Sequence, residues 1–103
     1  MDSSEQCRLL ALDFAEKDST ADVLEEQKKI IFAELVNFYR ATEKAISAAE
    51  YQARADERYR QIEAQRANAK TAANIAKAEL KSKELAFEFW RTREATKRQE
   101  MKL

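Results

Sequence analysis

The chain has 103 residues, 19 basic and 19 acidic side chains that cancel, a single Cys, and no His, Gly or Pro. Without His there is no imidazole base and no His-bearing zinc set, without Gly no phosphate-cradling loop, and one Cys allows neither an internal disulfide nor a cysteine-rich metal site. No catalytic residue, cofactor or metal ligand is therefore assigned, and the expected class is a non-enzymatic protein.

What the composition supplies is helix. Ala, Glu, Lys, Leu and Arg together account for 60 residues, above the half-share that marks long helices and coiled coils. Only 20 residues are Leu, Ile, Val or Phe, which would also suit a disordered chain. Disorder usually brings a large net charge, however, and the strong intrinsic helix propensity of Ala, Glu, Lys and Arg decides for helix. Charge is graded along the chain: residues 1–50 carry 6 basic and 11 acidic side chains, a net of −5, and residues 51–103 carry 13 and 8, a net of +5. Such a gradient predicts either antiparallel pairing of the two halves or a basic end that meets a polyanion.

The N-terminus MDSSEQCRLLALDF is acidic where a signal peptide would be basic, and its apolar run is cut at Asp13. With no apolar stretch of spanning length anywhere, the expectation is a soluble, cytoplasmic protein with no membrane partner, and the lone Cys7 fits a reducing setting. Ser3 with Gln6 has the form of a capping box, followed by Cys7, Leu10, Ala11 and Phe14 at helical spacing. This predicts a short first helix from about Ser4 to Lys17, within residues 1–18. Cys7 then lies on its apolar face as a small core residue. Lys17-Asp18-Ser19-Thr20 is the expected break, with Ser19 and Asp22 repeating the cap pattern.

A long helix is predicted over residues 20–100. Its first part is densely apolar, and Ile31, Leu35, Phe38, Thr42, Ala45 and Ala49 keep the alternating spacing of a heptad seam. Leu24, Ile31, Leu35, Phe38 and Ile46 are the candidate oligomerisation residues. Further on the seam turns to Ala, and Ala55, Tyr59, Ile62, Ala69, Ala73, Ala76, Leu80 and Phe87 follow one drifting stripe. Small seam residues bury little apolar area, so this part of the rod should be the weaker. Glu25–Lys29, Glu50–Arg54, Asp56–Arg60, Glu79–Lys83 and Glu94–Arg98 are acid-to-base pairs at four-residue spacing that support the helix. If the long helix reverses or kinks, Arg66–Asn74 is the expected place, since Asn68, Thr71 and Asn74 cluster there. A continuous helix is preferred, because tight helical reversals draw on a left-handed residue, usually Gly.

The final stretch sets Leu85, Phe87, Phe89 and Trp90 beside Arg91, Arg93, Lys97, Arg98 and Lys102. Phe87 and Trp90 share a face and Phe89 points elsewhere. Trp with flanking Arg is the composition of interface anchors, which makes Phe87, Phe89, Trp90, Arg91 and Arg93 the candidate partner-binding residues. A nucleic-acid surface would use the same basic groups on phosphates with an aromatic stacked on a base, although Glu84, Glu88, Glu94 and Glu100 interrupt it. The ending Trp90-Arg91-Thr92-Arg93-Glu94-Ala95 with Lys97-Arg98-Gln99-Glu100-Met101 resembles the closing stretch of short, charged helical accessory proteins from the early and recombination regions of tailed phages. The resemblance covers the last twenty to fifty residues. It implies a small accessory factor in the bacterial host cytoplasm that binds a protein or DNA.

The sequence thus predicts an all-α chain, a short helix plus one long helix, in a coiled-coil-like homo-oligomer, with a dimer favoured. Its expected function is to bind and modulate a partner protein. Nucleic-acid binding through the basic half is one alternative, and a structural coiled-coil spacer is the other.

Overall fold

A computed structural model describes residues 2–42 and 45–102. Helix α1 runs Ser3–Arg40, α2 Ile46–Ala55 and α3 Glu57–Lys102, and no strand occurs among the described residues. The all-α class is as expected. The Cα atoms fill a box of 83 × 23 × 14 Å, a rod two helices wide.

The rod is a hairpin. Glu25 faces Arg66, Lys28 faces Glu63 and Phe32 faces Tyr59. Each step of three or four residues forward on α1 is matched by an equal step back on α3, which is a constant antiparallel register. The acidic first half lies along the basic second half, the first of the two arrangements that the charge gradient allowed.

Helix boundaries differ from the sequence expectation in four places. The first helix does not stop near residue 18, because the polar residues there find partners without breaking the ladder. Thr20 Oγ1 donates to the Glu16 carbonyl at 3.1 Å and Lys17 pairs with Asp13 at 3.0 Å, while the next residue, Ala21, is buried. The cap is Asp2 rather than Ser3: its carboxylate accepts from the Glu5 amide at 2.7 Å. At 66–74 the preferred continuous helix is what the fold has, with Asn68, Thr71 and Asn74 exposed on the outer face of α3. The predicted long helix is instead interrupted twice, between Arg40 and Ile46 and at Asp56, whose ψ of 138° is extended.

The core is narrow and built mostly of alanine. Leu35, Ile62, Ala21, Ala49, Ala53, Ala73 and Ala76 are buried, and Leu24, Ile31, Phe32, Tyr59, Ala69, Leu80 and Phe87 are half-buried around them. The Ala-rich stripe read from the sequence is therefore the face that α3 turns toward α1, apart from the exposed Ala55. Small side chains let the two axes approach closely, and the area lost at each alanine is offset by the length of the contact. Of the five candidate oligomerisation residues, Leu35 is spent inside the hairpin and Leu24 and Ile31 are half-buried, whereas Phe38 and Ile46 are exposed.

Candidate partner-binding end

The register brings the start of α1 alongside Phe87 and Trp90, where Asp2, Ser3 and Ser4 line a shared hollow with those two rings. Beyond that point no described residue of α1 lies beside α3. From Arg91 to Lys102 every residue except the half-buried Glu94 is exposed.

At the last supported turn, Phe87 and Trp90 stack with centroids 6.1 Å apart and planes 17° from parallel. The Arg91 guanidinium lies 5.8 Å from the Phe87 centroid and that of Arg93 5.9 Å from Phe89. Cation–π contacts of this length hold an arginine head against a ring and reduce the entropy it would lose on docking. Phe87 is half-buried, while Phe89, Trp90, Arg91 and Arg93 are exposed. The five residues are thus neighbours on two faces of one helix end, Phe87 with Trp90 and Arg91 on one, Phe89 with Arg93 on the other.

A groove of about 690 Å³ leads away from the Phe87 side along the two helices. Cys7, Phe14, Leu80 and Phe87 give it apolar walls, and Lys77, Lys81, Glu84 and Glu88 supply both signs of charge. No cluster of metal-ligating side chains occurs among the described residues. Among them, too, no helix is long and apolar enough to cross a membrane.

Two polar clusters brace the helices further down the rod. In the first, Glu63 accepts from Arg66 at 2.7 and 3.0 Å, Lys28 lies 3.2 Å from Glu63 and 3.5 Å from Glu25, and Arg66 reaches Glu25 at 3.5 Å. Two acids and two bases form a closed ring across the helix pair, part-buried, so a register slip would separate all of them. The Arg66 hydrogen bond, with help from Lys28, holds the Glu63 carboxyl down at about 2 despite partial desolvation. Desolvation opposes charge on Lys28, yet the hydrogen bond it donates to Glu63 and the fields of Glu63 and Glu25 raise its pKa.

The second cluster joins α2 to α3. Asp56 accepts from the Arg58 amide at 2.8 Å, from its guanidinium twice at 3.1 Å, and from the Tyr39 hydroxyl at 2.7 Å. Asp56 is therefore the N-cap of α3 and ties the kink to α1. The Arg58 fork, then Tyr39, then the capped amide depress its carboxyl well below the usual carboxylate range, and the same bond raises the Tyr39 phenol.

Neither cluster was visible as such in the sequence. The four-residue rule pairs Glu25 with Lys29 and Asp56 with Arg60, whereas Glu25 meets Lys28 and Arg66, Lys29 meets Glu26, and Asp56 meets Arg58. An Asp two residues ahead of an Arg, with strong helix formers on both sides, was the signal available for the cap. No protein family, curated protein or solved structure matches the chain.

Proposed function

We propose that this chain is a non-enzymatic interaction protein that docks a partner protein through Phe87, Phe89, Trp90, Arg91 and Arg93 and self-associates to multiply that contact. The observation that carries the reading is the exposure of Phe89 and Trp90 beside Arg91 and Arg93 at one helix end. Large rings and arginines left in solvent at one place are the residues that most often dominate binding energy, and rings already stacked on a helix lose little freedom on docking. The mechanism is recruitment or blockade by mass action, and self-association raises effective concentration. A tailed-phage accessory factor acting in the host cytoplasm is the setting that the closing stretch suggests.

Affinity capture with the full chain tests the reading. Trp90→Ala and Phe89→Ala, each with unchanged helical circular dichroism, should lower recovery of the captured protein at least tenfold, which corresponds to about 1.4 kcal/mol. Equal recovery would reject the docking end and leave the structural-spacer reading in its place.

One observation favours a second reading. Arg91, Arg93, Lys97, Arg98 and Lys102 all stand exposed on the unaccompanied end of α3, against Glu94 and Glu100. Binding of single-stranded DNA through them would weaken steeply with salt, and reversing the charges of Arg91, Arg93, Lys97 and Arg98 would abolish it. Unchanged DNA binding in that variant would dismiss this reading.

A further inference from the structure

Twelve positions of α3, taken in alternating steps of three and four from Gln61 to Gln99, form a heptad stripe on the side away from the buried Ile62, Ala73 and Ala76. All twelve are exposed. Helix α3 holds 19 charged side chains among its 46 residues, yet none falls on the stripe, whereas a helix face turned to water carries charge. Its large members, Ile75, Leu85 and Phe89, are 55 %, 61 % and 66 % exposed. Thr92 and Thr96 donate their hydroxyls to the Glu88 and Thr92 carbonyls at 3.0 and 3.1 Å, so covering them would strand no donor. The stripe also runs past Trp90 into the last turns of α3, where no described residue of α1 lies alongside and a lone helix of about a dozen residues is marginal in water.

We propose that two hairpins associate through this stripe, α3 against α3 and antiparallel. The match is to a reversed second copy. With Ser82 set against Leu85 of the other copy, Ala78 meets Phe89, Ile75 meets Thr92, Thr71 meets Thr96 and Asn68 meets Gln99. Each large side chain falls on a smaller one and the two amides fall on each other, as close packing requires. On the flanks Lys81 meets Glu88 twice, and no like charges face one another. A parallel pair would match Glu88 with Arg93, so packing sets the direction: Phe89 would then face Phe89 and Ala78 face Ala78, in layers too wide and too thin. Between residues 68 and 99 the reversed contact runs about 47 Å and, at the width of a helix, covers on the order of 1,000 Å² in total, the size a specific interface needs. The outer stripe of α1, with Leu9, Val23 and Ile30 exposed, is broken by Glu16 and Glu26 and offers no such match. The inference rests on the self-association named above and gives it a face and a direction. It assigns Phe89 to the contact between copies and leaves Trp90, off the stripe, to the partner.

Solution mass of the full chain at micromolar concentration tests the face. The unaltered chain should show twice the 11.9 kDa chain mass. Ile75→Lys and Ala78→Glu should each halve it with unchanged helical circular dichroism, while Ile30→Lys on the outer face of α1 and Trp90→Ala should leave it as it is. A dimer that survives both stripe substitutions would overturn this face and keep self-association. A monomeric unaltered chain would overturn both, and neither result bears on capture through Trp90. Direction is read by oxidising single-cysteine chains made in a Cys7→Ser background. A mixture of Ile75→Cys and Thr92→Cys should give the mixed disulfide dimer, and linkage of each variant to itself instead would overturn the reversed pairing. X-ray scattering decides the same point without thiols. The centre of the contact lies about 28 Å from the Lys102 end of the 83 Å rod, so the reversed dimer should span about 110 Å, and a span of 83 Å would mean parallel copies in register.

Discussion

Leu35→Ala is the substitution that asks most of the narrow core. Leu35 is the largest fully buried side chain, 2 % exposed, at the place where α1 meets the α2–α3 junction. Truncation removes three carbons at about 0.8 kcal/mol each, or about 2.4 kcal/mol of transfer free energy. A cavity term would add to this in a thick core, but a rod two helices wide can close over the gap, so the total should lie near 2–3 kcal/mol, the low end of buried leucine truncations. Ile30→Ala is the matched control. Ile30 is 57 % exposed on the opposite face of α1, and the gain in helix propensity offsets what little contact is lost, leaving a change within about 0.5 kcal/mol. Urea titration followed at 222 nm, at one fixed protein concentration, compares the two directly. Equal destabilisation, or a larger loss for Ile30, would refute the assignment of the core face.

The remaining expectations concern the polar clusters. Because the Glu63 carboxyl is depressed to about 2 from 4.5, its contribution is complete above the unfolded value and is lost as pH falls from about 4.5 toward 2. The urea midpoint should drop over that interval, and drop less in Glu63→Gln; an equal fall in the variant would contradict the ring. A double-mutant cycle on Lys28 and Glu63 should give a coupling of about 0.3–1 kcal/mol that shrinks in high salt, and a salt-independent zero would mean that the two do not meet. The Tyr39 phenol, raised by its bond to Asp56, should titrate above a free phenol by ultraviolet absorbance and return toward it in Asp56→Ala. No change on that substitution would remove the tie between the kink and α1.

Much of the fold could be read from residue types alone. The absence of Gly and Pro, the heptad spacing of Ile31 and Leu35 and the alanine stripe from Ala69 to Leu80 foretold long helices and the faces they bury. The location of the reversal could not be read, because turn-forming side chains are only permissive. Ser19, Thr20, Asn68 and Asn74 tolerate a helix when their polar atoms reach a carbonyl or water, as Thr20 does. The chain instead turns among Ala41, Thr42 and Ala45, where α1 stops with i+3 hydrogen bonds from Ala41 to Phe38 and from Thr42 to Tyr39. Pairing an acidic helix with a basic one decides that choice, a long-range property that no local window contains. The grouping of Phe87, Phe89, Trp90, Arg91 and Arg93 was easier to read, since aromatic and arginine residues adjacent in sequence on one helix are neighbours whatever the tertiary fold. The groove beside it, which joins Cys7 and Phe14 to Leu80 and Phe87, depends on the register and was invisible.

The account stands on the antiparallel register of α1 against α3. The most direct measurement is a nuclear Overhauser contact between the rings of Phe32 and Tyr59, whose centroids lie 5.6 Å apart. The account predicts that cross-peak, lost on Tyr59→Leu. A spectrum that lacks it and instead joins Phe32 to Phe32 of a second copy would contradict the register and everything built on it.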